Sequence, residues 1–109
     1  MKRIAFFAIL FMALAVTAQG QVPQEGARWA NNVCGECHAV GAGQVRSPNG
    51  RAPTFVELAN TPGMTSAALT VALTTPHAGM PMFVLTSEQR QDIIAYILSL
   101  KTNRSDGDP

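Results

Sequence analysis

The 109-residue sequence has few charged side chains, which make up 14% of it, and its formal net charge is only +1. It therefore lacks the dense positive charge with which proteins bind nucleic acid or anionic membrane surfaces. Cysteine is also scarce, with two residues, and histidine occurs only twice. No second cysteine pair or histidine cluster is present to complete a structural zinc site of about four ligands.

An apolar run long enough to span a bilayer is also missing at the N-terminus. Residues 4–16 are all apolar, but these thirteen residues fall short of the roughly 20 that a membrane-spanning helix needs. Two basic residues precede the run and small residues follow it, which is the pattern of a secretory signal peptide. We expect residues 1–18 to be a signal peptide, cleaved after Ala18 or after Gly20, and the protein to be exported to the periplasm.

Cleavage would remove two basic side chains and leave six against seven acidic ones, a net charge near −1. The remaining chain is one small domain. A domain of this size buries little apolar surface and often depends on a disulfide, a metal or a cofactor for its stability. Residues 103–109 are polar, contain Gly and Pro, and are expected to form a flexible tail.

Hydrophobic periodicity predicts a protein built from helices. No segment alternates polar and apolar side chains as a convincing strand would, so we assign the chain to the all-α class. The first helix is expected over residues 24–36. A short segment should open at Thr54, and a further helix should start at Thr65 or Ser66 and end at Pro76.

The strongest helix signal lies near the end of the sequence. Thr86 and Gln89 match a capping box, in which each side chain bonds to the other residue's backbone N–H at the start of a helix. Apolar and aromatic side chains then recur at the spacing of one helix face, at Ile93, Tyr96, Ile97 and Leu100. We therefore expect an amphipathic closing helix.

Both cysteines and one histidine fall within the stretch CGECH, from Cys34 to His38. This C-x-x-C-H pattern is that of covalent attachment of c-type haem. Two thiols three residues apart lie on one face of a helix, where both can bond to the same porphyrin. The next residue, His38, can then bind the iron.

Three other interpretations of CGECH can be compared with haem attachment. A zinc site lacks further ligands, as noted above. A redox-active dithiol of the thioredoxin type would need a βαβ context, which an all-α chain does not provide. A structural disulfide would close a very short ring, would stabilise the fold little and would leave His38 without a role. Haem attachment is favoured, and a dithiol is the main alternative.

An iron bound by His38 alone would be five-coordinate, and other side chains could complete its coordination. The candidates are Met64, His77, Met80 and Met82. A methionine in a small protein is most often core filler. The stretch GMPMF, however, lies in an irregular segment between two predicted helices, and such a loop can hold a thioether sulfur over the haem face opposite His38.

These features resemble the class I bacterial c-type cytochromes over essentially the whole mature chain. The matching features are Gly26 in the first helix, CGECH, the stretch APTF from Ala52 to Phe55, Met80-Pro81 followed by Phe83, and the stretch DIIAYILSL from Asp92 to Leu100. In this order and at this spacing the combination is specific. The resemblance implies a cytochrome c domain over residues 21–102, with its N- and C-terminal helices packed around one covalently bound haem.

The resemblance implies roles for particular residues. Cys34 and Cys37 would form thioether bonds to haem c, His38 would bind the iron, and Met80 would bind it from the opposite side. The backbone carbonyl of Pro53 would accept a hydrogen bond from the other ring nitrogen of His38 and so fix its tautomer.

Packing around the haem can also be anticipated. Met82, two residues beyond Met80, and His77 are the alternatives for the distal ligand. Gly26 would let the first helix cross tightly against the last one beneath Tyr96. The iron is expected to lie in an apolar pocket formed by Leu69, Val71, Leu73, Phe83, Ile93 and Ile97.

An iron with two protein ligands has no open position for a substrate, so we expect a periplasmic electron carrier and not an enzyme. The alternatives are a five-coordinate haem protein that binds gas or peroxide, and a cytochrome subunit of a larger dehydrogenase or oxidase. We expect a monomer whose partners are redox proteins, with no nucleic acid and no stable membrane insertion after signal cleavage. Lys101 would be the only lysine left, so docking is expected to be mainly apolar and weakly dependent on salt.

Overall fold

The computed structural model describes residues 23–102, and within this part of the chain the secondary structure is helical. The helices are α1 Pro23–Val33, α2 Phe55–Asn60, α3 Ser66–Thr74 and α4 Ser87–Ser99. No β-strand occurs among these residues, where His77 and Met80 form an isolated β-bridge. The all-α prediction is confirmed, whereas the predicted signal peptide and the predicted tail lie outside the described residues.

Threonine side chains cap the starts of the three later helices. The Thr86 hydroxyl accepts a hydrogen bond from the Gln89 N–H at 3.1 Å, and Gln89 bonds back to the Thr86 N–H, so the predicted capping box is confirmed. Thr54 and Glu57 form a second capping box at the start of α2. Thr65 caps α3, so this helix starts at one of the two predicted positions. Each cap satisfies backbone N–H groups that the helix itself leaves unpaired.

The first helix is shorter than its periodicity predicts. The periodicity predicts a helix over residues 24–36, but the helix ends at Val33. The Cys34 N–H still bonds to the Ala30 carbonyl at 2.8 Å, as in a helix, but the N–H groups of Cys37 and His38 then converge on the Cys34 carbonyl. The chain therefore leaves the helix through a tight turn, which periodicity of apolar side chains does not reveal.

The main helix interface joins α1 and α4, and the two backbones approach closely at Gly26. A Cβ atom at this position would lie 2.6 Å from the Tyr96 Cβ and closer still to the Asp92 carbonyl oxygen. Only glycine permits this separation of the two backbones, because 2.6 Å is well inside van der Waals contact. The predicted crossing of the first and last helices beneath Tyr96 is confirmed.

A single hydrophobic cluster joins all four helices and the segment that follows α1. Its buried members are Ala30, Cys34, Val40, Phe55, Ala59, Leu69, Ile93, Ile94 and Ile97. Ile93 and Ile97, which lie one turn apart on α4, are 0% and 2% exposed, so the predicted apolar face of the closing helix is the one that is buried. Removing these side chains from water is the main favourable contribution to folding.

None of the helices within residues 23–102 has the length and apolar character needed to cross a membrane.

We predict that Gly26→Ala destabilises the protein. Alanine favours a helix over glycine by about 1 kcal/mol, but a Cβ here would push α1 away from α4, and overpacking of this kind costs about 1–3 kcal/mol. The backbone of α4 cannot move aside as a flexible side chain could, so we expect a cost in the upper part of this range, about 2–3 kcal/mol, and a net loss of about 1–2 kcal/mol in the free energy of unfolding. Chemical denaturation followed by circular dichroism measures it.

The matched control is Gly43→Ala, because a Cβ at that exposed glycine would meet no atom within 4 Å. Its free energy of unfolding should change by less than about 0.5 kcal/mol. Equal stability of the two variants would contradict the role given to Gly26.

Candidate functional site

The stretch CGECH forms the turn that follows α1. The Cys34 carbonyl accepts hydrogen bonds from the Cys37 N–H at 3.2 Å and from the His38 N–H at 2.9 Å. These bonds fix the positions of the second cysteine and the histidine relative to the first. Cys34 itself is buried in the hydrophobic cluster, whereas Cys37 is half-buried, and both are free thiols.

The imidazole of His38 has a defined orientation. Its Nδ1 lies 2.6 Å from the carbonyl oxygen of Pro53, which can only accept, so Nδ1 carries the proton and donates. The opposite ring nitrogen, Nε2, is then left with a free lone pair, as a metal ligand requires. The ring also packs against Phe55, with centroids 5.6 Å apart. The predicted contact with Pro53 is confirmed.

The loop from residue 41 to residue 52 folds back onto this turn through hydrogen bonds. The Asn49 N–H donates to the Cys37 carbonyl at 3.1 Å, and the Ala39 N–H donates to the Ser47 hydroxyl at 3.0 Å. After the loop, the Phe55 N–H donates to the Ala39 carbonyl at 2.9 Å. These contacts could not be predicted from the sequence, because a Ser and an Asn in a Gly-rich segment indicate a loop but not the groups to which the loop bonds.

A cavity lies where the end of α1 meets α3 and the segment between α3 and α4. Its lining residues are Val33, Cys34, Ala72, Leu73, His77, Met80, Pro81, Met82, Phe83 and Leu85. The structure therefore brings Cys34 and Met80, forty-six positions apart, to one mainly apolar cavity. Cys37 and His38 belong to the same turn as Cys34 but do not line it.

The candidate distal ligands have different surroundings. Met64 packs against the hydrophobic cluster and does not line the cavity. Met82 lines the cavity but is 52% exposed, whereas Met80 is half-buried. The Met80 sulfur also lies 3.1 Å from Nε2 of His77. Of the two methionines that line the cavity, Met80 is therefore the less exposed, and its sulfur has a second possible ligand, the His77 imidazole, beside it.

The predicted apolar pocket is confirmed in part. Leu73 and Phe83 line the cavity. Leu69, Ile93 and Ile97 belong to the buried cluster. The prediction for Val71 is wrong, because its side chain is 61% exposed. Two residues along a helix correspond to a rotation of about 200°, so Val71 faces away from the side on which Leu69 is buried.

Burial acts on two titratable groups near the motif. It raises the pKa of the Cys34 thiol to about 11, and it also raises the pKa of Tyr96. A redox-active dithiol instead needs a cysteine whose pKa is lowered, so that the thiolate is present at neutral pH. The structure therefore gives no support to the dithiol interpretation of CGECH.

Two comparisons with known proteins agree with this site. The family model described as cytochrome c oxidase, cbb3-type, subunit III matches residues 21–97. Cytochrome c-552 of Bradyrhizobium diazoefficiens is 38% identical over 76 residues, which are 70% of this chain and 72% of that protein. The chain belongs to the small c-type cytochromes. Like other members of this family, the cytochrome carries covalently bound haem c. No solved structure matches the chain.

The residues of the site fit such a haem. Thioether bonds to a porphyrin require free thiols, and Cys34 and Cys37 provide two at the spacing of the C-x-x-C-H pattern. The cavity beside Cys34 has the apolar lining that a porphyrin needs. The free lone pair of His38 and the sulfur of Met80 are donors that haem iron accepts in c-type cytochromes.

Proposed function

We propose that this cytochrome is an exported one-electron carrier in which Cys34 and Cys37 hold the haem, and His38 and Met80 bind its iron. The main support for the proposal is that Cys34 and Met80 line the same apolar cavity. The proposal is also supported by the hydrogen bond from His38 to Pro53, which orients the imidazole in the same turn as Cys34.

The bound haem supplies a one-electron iron couple, and the chain determines how that couple is used. His38 and Met80 would both bind the iron and leave no place on it for a substrate, so the protein would act as a carrier and not as an enzyme. Ligation by His and Met gives a higher reduction potential than stronger donors give. Leu73 and Phe83 line the cavity with apolar atoms, which disfavours the more highly charged, oxidised state.

A second candidate function follows from the family comparison, because the matching family is described as an oxidase subunit. In that case the protein would deliver electrons within one complex and would not diffuse between partners. The site chemistry is the same in both cases, so the two functions differ only in whether the partner is fixed.

The surface near Met80 suggests how a partner is recognised. Residues 58–87, which we call the uncharged segment, contain no Asp, Glu, Lys or Arg. They include α3 and most of the residues that line the cavity, and they expose apolar side chains such as Val84. A partner with a charged docking face would have to desolvate its charges here without compensation. We propose that this segment docks redox proteins whose own docking face is uncharged.

We predict that the oxidised protein shows the weak far-red absorption band of a sulfur-to-iron bond. Met80→Ala should remove the band, because the ligating sulfur is gone. Met82→Ala should keep it and is the matched control, since it deletes a thioether from the same cavity. Optical spectra of the three purified proteins measure this.

Loss of the band in Met82→Ala and its retention in Met80→Ala would show that Met82 is the ligand. A wild-type protein that lacks the band and binds carbon monoxide rapidly when reduced would instead favour the five-coordinate, gas-binding alternative.

We predict that the protein is released from the periplasm as a monomer that begins at residue 19 or residue 21. The basic leader and apolar run predict cleavage after Ala18 or Gly20. Intact-mass spectrometry of an osmotic-shock extract should show the shortened chain plus one haem, and size-exclusion chromatography should place the haem absorbance at the monomer. Haem that stays in the membrane fraction with an oxidase would support the second candidate function.

We predict that electron self-exchange between the oxidised and reduced protein depends weakly on salt. If two copies meet through their uncharged segments, the rate should change less than about threefold between low and high ionic strength. Line broadening in NMR spectra of mixtures measures the rate. A steep dependence on ionic strength would contradict apolar docking.

Two variants that each add one lysine make this test more specific. Val84 is fully exposed, so Val84→Lys adds a charge to the uncharged segment without disturbing the core. It should slow self-exchange at low salt by mutual repulsion, with recovery at high salt. The control Gln24→Lys adds the same charge at the start of α1, at the end away from Cys34, and should leave the salt dependence close to that of the wild type.

A further inference from the structure

His77 and Met80 are joined by a tight turn at the edge of the cavity. The Met80 N–H donates to the His77 carbonyl at 3.4 Å, and Gly79, the third residue of the turn, has φ of +82°. A positive φ at this position is typical of a type II turn and favours glycine. The turn brings the two side chains together, with Nε2 of His77 3.1 Å from the Met80 sulfur.

The second ring nitrogen of His77 faces a backbone carbonyl. Its Nδ1 lies 3.3 Å from the carbonyl oxygen of Thr75. A carbonyl oxygen is a stronger acceptor than a thioether sulfur, so we assign the proton to Nδ1. Nε2 then keeps its lone pair, and its contact with the Met80 sulfur joins two electron-pair donors.

His77 therefore repeats the arrangement of His38. In both residues Nδ1 faces a backbone carbonyl, of Thr75 in one and of Pro53 in the other. This partner is typical of metal-binding histidines, because it fixes the tautomer and turns the lone pair of Nε2 toward the metal. His77 differs from His38 in being exposed and in having a second donor, the Met80 sulfur, beside its Nε2.

We propose that His77 is a reserve ligand for the coordination position that Met80 occupies, and that its Nε2 binds the iron when the Met80 sulfur leaves. This inference rests on the proposed function. The exchange involves two side chains of one four-residue turn, whose donor atoms are 3.1 Å apart. It therefore requires rotation of side chains and no refolding of a helix.

Met82 is the competitor for this role, and its surroundings differ. It lines the cavity and is exposed, as His77 is, but no hydrogen bond orients its side chain in the described part of the chain, whereas Nδ1 of His77 faces the Thr75 carbonyl. The imidazole is also the stronger donor, so a His77-bound iron would have a lower reduction potential than the Met80-bound form. The two ligation states would thus have different redox properties while both keep the iron six-coordinate.

The test starts from Met80→Ala. If His77 takes the position, this variant should lose the sulfur-to-iron band but stay low-spin, with the electron paramagnetic resonance spectrum of a bis-imidazole haem. The double variant His77→Ala/Met80→Ala should become high-spin. Its affinity for added imidazole should be at least about tenfold higher than that of Met80→Ala, because no internal ligand competes.

The matched control is Met80→Ala/Met82→Ala, which should behave like Met80→Ala alone. Far-ultraviolet circular dichroism, and haem that stays attached under denaturing conditions, verify that each variant is folded and loaded. If the double alanine variant fails to fold, His77→Gln/Met80→Ala replaces it, since glutamine keeps a polar side chain of similar reach without a ligating imidazole.

The inference is overturned if Met80→Ala is high-spin, if it keeps the sulfur band through Met82, or if the double variant stays low-spin. Failure of the proposed function would give a different set of results. In that case the wild type itself would lack the sulfur band, and His77→Ala alone would convert it to a high-spin form, which would make His77 the resident ligand.

Discussion

The close contact of α1 and α4 at Gly26 is the constraint on which the rest of the fold depends. α1 ends at the turn that carries Cys34, and α4 carries Tyr96, whose hydroxyl donates to the Val40 carbonyl at 2.5 Å. One helix pair therefore fixes the chain on both sides of CGECH. The six-residue α2 and nine-residue α3 are too short to be stable alone. They persist because Phe55 and Leu69 are buried against the surface that this pair provides.

The orientation of His38 depends on a segment of the protein that has no regular secondary structure. Its partner, the Pro53 carbonyl, lies at the end of a Gly-rich loop, and the loop is held by hydrogen bonds to the backbone around His38 itself. The Thr54 capping box then begins α2 directly after this carbonyl. A helix start with defined geometry and a loop bonded to the motif together place one oxygen atom 2.6 Å from the imidazole.

Features encoded by neighbouring residues could be predicted from the sequence. The Thr86 capping box and the buried face of α4 each depend on residues within a few helical turns, and the structure agrees with both. The C-x-x-C-H pattern is equally local, and the haem c that it predicts agrees with the family of the chain. The contact of His38 with Pro53 and the crossing at Gly26 are long-range, and only the resemblance to a known family supplied them.

Features that depend on turn geometry or tertiary packing could not be predicted in this way. Val71 was placed in the pocket because it is apolar, although the helix turns it to solvent. The contact between His77 and Met80 follows from the positive φ of Gly79, and the bond from Ala39 to Ser47 follows from how a loop folds back. In each case the missing information was three-dimensional, because the residue types alone fit several arrangements.

The distribution of charge links the two demands on an electron carrier. Charged side chains lie before and after the uncharged segment, in which His77 is the only titratable residue. No carboxylate in this segment would stabilise the additional positive charge of the oxidised iron. The same lack of charge means that a partner meeting this surface desolvates no ion on it, so that binding can be brief and can be governed by shape. The absence of charge in residues 58–87 would thus favour both a high reduction potential and rapid release of the redox partner. Adding a charge there would alter both.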